Sequence, residues 1–90
     1  MLNKYIVCYD ISEPRRLQKV HRYVSNEAEF LQKSVYQLYA NSKSLESFIR
    51  TIEKIICVDS DDVRIYPLSP QTKVEVWGKH GRCFGVHVLE

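Results

Sequence analysis

A carboxylate ends the apolar run that opens this chain. Tyr5 to Tyr9 (YIVCY) are all apolar or aromatic, and Asp10 follows, with Arg15 and Arg16 a few positions later. An acid at the end of a strand that belongs in a core has two readings. In the first it caps the helix that begins near residue 13, where the helix dipole favours an anion. In the second it binds a divalent cation. Mg²⁺ takes one or two protein carboxylates, keeps several waters and completes its shell with substrate phosphate oxygens. One Asp10 per chain is a sparse site, whereas two copies meeting across a dimer axis make an adequate one. Such a metal lowers the pKa of a bound water and neutralises charge on a phosphodiester during displacement. Tyr9 and Tyr36 are the tyrosines that could lie near Asp10 and touch a substrate. Packing explains most of the six, because tyrosine buries a large ring while its hydroxyl stays wet.

The cations are the second feature. Arg15, Arg16, Lys19 and Arg22 fall within eight residues, and Asp59, Asp61 and Asp62 within four. The net charge of +2 is too small to mark a nucleic-acid binder. The basic cluster is either a solvated helix face or a face that meets phosphates. The acidic run reads as a solvated turn between elements. A calcium loop counted from Asp59 needs glycine at its sixth place and an acid at its twelfth, where this chain has Arg64 and Pro70. His80 and Cys83 lack the second ligand pair of a zinc site. His21 reads as a boundary residue beside an apolar helix face, and His87 as packing in the last strand. No nucleophile elbow, P-loop or G-x-G-x-x-G is present.

The elements that position these residues follow from periodicity. Residues 4 to 10 read as a central strand, apolar on both faces. Ser12 or Glu13 caps the next element, with Pro14 in its first turn. Leu17, Val20 and Val24 then recur on one helix face, and Arg15, Lys19 and Arg22 project from the other. FLQKSVYQLY, residues 30 to 39, is one β-rich stretch without clean alternation. Leu45, Phe48, Ile49, Ile52, Ile55 and Ile56 trace a second amphipathic helix behind the Asn41 to Ser44 turn. VRIYPL is a strand, TKVEVWG alternates as a half-exposed one, GKHGRCFG is a loop and VHVL a short last strand. If residues 30 to 40 contain a break, the order is β-α-β-β-α-β, the ferredoxin-like arrangement, with an extra C-terminal strand. Helices cover one face of such a sheet, and a second copy of the chain is the simplest cover for the other, giving a homodimer.

Composition sets the bounds. Ninety residues, 44% hydrophobic and 27% charged, fit a single domain over residues 1–90. A chain this size buries only roughly 60% of its unfolded surface, so self-association helps it. No apolar run approaches the ~20 residues of a membrane span, and the N-terminus lacks the apolar region of a signal peptide. Cys8, Cys57 and Cys83, odd in number and widely spaced, fit free thiols in a reducing cytoplasm.

YIVCYDIS followed by a basic helix, then LQKSVYQ, then SDDVRIYPL, resembles the Cas2 family. These are the small CRISPR-associated proteins of the spacer-acquisition machinery. The resemblance implies a ferredoxin-like homodimer in which Asp10 of each protomer approaches the axis and shares a Mg²⁺. It implies a metal-dependent endonuclease on RNA or double-stranded DNA, with Asp10 as catalytic residue and metal ligand. It also implies a dimer that bridges CRISPR integrase subunits and holds the DNA to be inserted. Tyr9 is the neighbour of Asp10 in the motif, Arg16 and Lys19 fall where the family has early helical cations, and Ser34 and Tyr36 occupy the S-V-aromatic motif. Some relatives carry an arginine just before that motif, where this chain has Phe30 and Leu31. Two functions follow: a Mg²⁺-dependent phosphodiesterase, or a non-catalytic bridge between duplex DNA and the integrase.

Overall fold

The first strand, β1, runs over Asn3–Asp10, and the computed structural model describes residues 2–69, 71, 73–74 and 86–87. The chain continues through α1 (Pro14–Glu27), β2 (Glu29–Gln32), β3 (Val35–Ala40), α2 (Ser42–Ile55) and β4 (Asp62–Leu68). The sheet order is β2-β3-β1-β4, every neighbouring pair antiparallel. This is the ferredoxin-like β-α-β-β-α-β arrangement that the sequence implies.

Strand alternation sorts the side chains of β1 between two faces. Val7 lies between Tyr36 and Ile65, and Tyr9 lies opposite Val63, on the face covered by the helices. There they meet Val20 and Val24 of α1 and Phe48 and Ile52 of α2. Burying each such aliphatic or phenyl side chain contributes about 1.5–3 kcal/mol. Both helices are capped from side chains. The Glu13 carboxylate accepts from the first turn of α1, and Asn41 and Ser44 cap α2 reciprocally.

The other face carries Lys4, Ile6, Cys8 and Asp10, with Ile6 flanked by Gln37 and Tyr66. Ile6 and Val35 are already buried within one chain, so these two residues do not by themselves require cover from a second copy. Gln32 is also buried, and neither polar atom of its side chain has a hydrogen-bond partner. Tyr39 and Tyr66 stay exposed.

Residues 30 to 40 are not one strand. Lys33 and Ser34 form a tight turn between β2 and β3, and Ser34 takes a φ of 65°. Neither residue is a glycine or asparagine, the usual occupants of left-handed turn positions, so the break carries no local signature. The register also shifts between Phe30 and Gln32, a bulge at Leu31. Beyond β4, β5 (Lys73–Val74) and β6 (Val86–His87) pair antiparallel as a separate ribbon rather than extending the main sheet. The expected strand residue Val76 and the loop with His80 and Cys83 lie outside the described residues, as does the side chain of His87. Cys8 and Cys57 are free thiols, and among the described residues no helix is long and apolar enough to cross a membrane.

Candidate functional site

Asp10 closes β1 at the exposed rim of the sheet, directly opposite Asp62 of β4. Like charges facing each other across a strand pair are unfavourable. Arg64 relieves the pair by binding Asp62, Nε to Oδ2 at 3.0 Å. The Asp10 side chain has no hydrogen bond or ion pair among the described residues. Nor does it cap α1. That role belongs to Glu13, which accepts from the backbone N–H of Arg15 at 2.9 Å and of Arg16 at 2.8 Å. Those two N–H groups, Arg15 first, hold the Glu13 carboxyl below its ordinary range. Asp10 therefore keeps all its lone pairs for a ligand. A carboxylate is the donor that Mg²⁺ prefers, but no group of three candidate ligands exists among the described residues of one chain. The fit is to a cation completed by waters, phosphate or a second Asp10.

The loop after Asp10 is fixed by a residue 51 positions later, Asp61. Its side chain has no exposed surface. Oδ1 accepts from Ser12 N–H at 3.0 Å and from the Ser12 hydroxyl at 3.1 Å, and Oδ2 from Cys57 N–H at 2.9 Å. Arg16 grips both oxygens, Nε to Oδ2 at 2.8 Å and Nη2 to Oδ1 at 3.3 Å. The Arg16 bonds first, then the Cys57 N–H, hold the Asp61 carboxyl well below the usual range. The acidic turn is thus not solvated throughout: Asp59 and Asp62 are exposed, while Asp61 staples the α1 entry to the α2–β4 turn. No local pattern reveals this, because the partners are 45 residues apart.

The cations divide accordingly. Arg15, Lys19 and Arg22 are exposed on α1, and no ion pair engages them among the described residues. Arg16 is half-buried and committed to Asp61.

Tyr9, Ser34 and Tyr36 come together, but on the helix side of the sheet. The Ser34 carbonyl accepts from Tyr9 N–H at 3.1 Å, and the Tyr9 and Tyr36 rings stack with centroids 6.1 Å apart and planes 15° apart. Alternation turns Asp10 to the opposite face. Both phenol hydroxyls meet Nδ1 of His21, Tyr9 at 3.2 Å and Tyr36 at 3.1 Å. Burial first, and Tyr36 second, push the Tyr9 phenol far above its ordinary range, so it stays un-ionised. His21 is more than the boundary residue its position implies. Its spacing of one helical turn from Leu17 is the signal, since both line a groove beside Tyr9.

The family model for CRISPR associated protein Cas2 matches residues 3–76. Over 67 residues the chain is 39% identical to the CRISPR-associated endoribonuclease Cas2 1 of Nitrosomonas europaea, covering 74% of this chain and 64% of that relative. It is 39% identical over 74 residues to the CRISPR-associated endoribonuclease Cas2 2 of Thermodesulfovibrio yellowstonii, covering 82% of this chain and 81% of the relative. The crystal structure of a hypothetical protein from Thermus thermophilus superposes with a TM-score of 0.78 at 32% identity, over 88% of this chain and 94% of that one. With the sheet order, the strand-end acid and these matches in agreement, the chain belongs to the Cas2 family.

Proposed function

We propose that the protein is a Mg²⁺-dependent endonuclease of a CRISPR system that acts as a homodimer in the cytoplasm, with Asp10 of each protomer at a shared site. The observation that carries this reading is the free carboxylate of Asp10. It is exposed at the sheet rim, and Glu13 has already taken the capping role that would otherwise explain it. Both named relatives are endoribonucleases, which supports RNA as one substrate class beside double-stranded DNA. Bound Mg²⁺ supplies charge neutralisation and a water of lowered pKa. The chain's own residues do the rest. Arg15, Lys19 and Arg22 bind backbone phosphates, and the staple of Ser12, Arg16 and Asp61 holds the loop that follows Asp10.

A second reading is a non-catalytic bridge that holds duplex DNA and a CRISPR integrase subunit. The exposed apolar ring of Phe30, near the place where some relatives carry an arginine, favours it. One substitution separates the two. Asp10→Asn keeps the shape but removes one negative charge per protomer. The expected result is loss of Mg²⁺-dependent cleavage by orders of magnitude, with dimerisation and duplex binding almost unchanged. Labelled RNA and duplex DNA are incubated with wild type and variant, with Mg²⁺ or a chelator, beside a binding titration. Equal cleavage by both proteins discards the catalytic reading, and no cleavage by wild type under any divalent ion favours the bridge.

A further inference from the structure

We propose that the groove between α1 and the β2–β3 turn is a subsite for one unpaired nucleobase, distinct from the Asp10 carboxylate; this rests on the reading that the chain acts on nucleic acid. The groove encloses about 450 Å³, within the range of small-ligand sites. Tyr9 and Tyr36 form its floor. Phe30 forms one wall, set edge-to-face on Tyr36 with centroids 5.7 Å apart and planes at 78°, and it is 65% exposed. No other ring among the described residues contacts Phe30. Leu17 of α1, 36% exposed, lines the groove as well.

The groove surface is almost wholly carbon, yet its lining includes the polar side chains of Gln18, His21 and Ser34. Nδ1 of His21 is turned to the two phenols, which leaves Nε2 as the ring nitrogen free for a ligand. The single charged lining residue is Lys33, in the turn. On the helix, Arg22 follows His21 directly and is free of ion pairs among the described residues. Lys33 thus lies at the groove itself, and Arg22 stands one residue on from its lining.

One ligand chemistry meets all these features: a flat neutral ring with donors and acceptors along its edge, tethered to phosphates. A bare anion would leave the aromatic surface uncovered, and an aliphatic chain would leave the amide and imidazole unpaired. Bases within a continuous duplex are not available to such a slot, whereas bases in single strands and splayed ends stack on aromatic side chains. Because Tyr9 and Asp10 lie on opposite faces of β1, a held base would anchor a strand beside the carboxylate without occupying its position.

The test is run in chelator, so that cleavage plays no part. Affinities are measured for a short single-stranded DNA whose one base is a 2-aminopurine among abasic positions, for the same strand made wholly abasic, and for a duplex of equal length. Wild type should prefer the base-bearing strand by roughly five- to a hundredfold, the worth of one base–aromatic stack, and should quench the 2-aminopurine. Phe30→Ala should lose the preference and the quenching while keeping its duplex affinity, and Phe30→Tyr should restore both. Phe30 is exposed enough for the alanine variant to fold, which a melting curve checks. Equal affinity of wild type for the base-bearing and abasic strands overturns the subsite, as does an equal loss of single-strand and duplex binding in Phe30→Ala. A variant that changes oligomeric state but not strand affinity also overturns it, by making the groove a protein contact. Duplex binding without base preference sinks the subsite alone, and no binding to any probe sinks the nucleic-acid reading with it.

Discussion

Asp61 and Asp10 carry the same side chain into opposite surroundings. Asp61 is enclosed and receives Ser12, Arg16 and Cys57, while Asp10 stands exposed with no partner among the described residues. The staple makes stability depend on pH with a definite sign. Because the folded-state pKa of Asp61 is lowered, its contribution is fully present above the unfolded carboxylate value of about 3.9 and is lost as the pH falls toward the folded value. Asp61→Asn should therefore lower Tm by several degrees at neutral pH, with the gap to wild type shrinking in acid. Melting curves taken from neutral pH down to about pH 2 check this; a gap that grows in acid would refute it. Arg16→Ala should destabilise in the same way, since it leaves a buried carboxylate short of its cation. Only part of this was legible in the sequence. The break from apolar run to acid marks Asp10 because both lie within one strand, whereas Asp61 owes its role to partners 45 and 49 residues away.

At the scale of elements, the helices were readable and the hairpin was not. Leu45, Phe48 and Ile52 repeat with the helical period, and Pro14 announces the start of α1, so local pattern and structure agree. The β2–β3 turn depends on Ser34 adopting a backbone region that its residue type does not advertise. Substitution there gives a graded outcome. Ser34→Val should cost about 1–2 kcal/mol, because a β-branched side chain is strained at positive φ. Ser34→Gly should stay within about 1 kcal/mol of wild type, its relief of strain offset by a more flexible unfolded chain. Denaturant titration distinguishes them, and equal costs would place the sensitivity in the lost hydroxyl instead of the backbone. The exposed side of α1 makes its own prediction. If Lys19 and Arg22 contact phosphates, replacing each with alanine should flatten the slope of log K against log salt for duplex DNA by about one. An unchanged slope would mark this face as merely solvated.

For the whole molecule, one chain supplies one free strand-end carboxylate, and Tyr39 and Tyr66 lie exposed on the sheet face that the helices leave open. The protein should accordingly sediment as a homodimer at micromolar concentration. Sedimentation equilibrium that finds only monomer would remove the shared site with it. The sheet order has a further consequence, for the order of events during synthesis. β1 pairs on both sides, as β3 does, yet it is translated before either of its neighbours: β3 follows after α1, and β4 only after α2. At translation speeds of about 5–20 residues per second, its apolar run waits seconds for the second edge. Throughout that interval Tyr5 to Tyr9, an uncharged β-prone segment, keep at least one unpaired edge, the kind that seeks any available strand. The charges that bracket it, Lys4 on one side and Asp10 on the other, act as gatekeepers against such pairing. The acid at the strand end thus shields the newborn chain quite apart from the metal-binding role proposed for it.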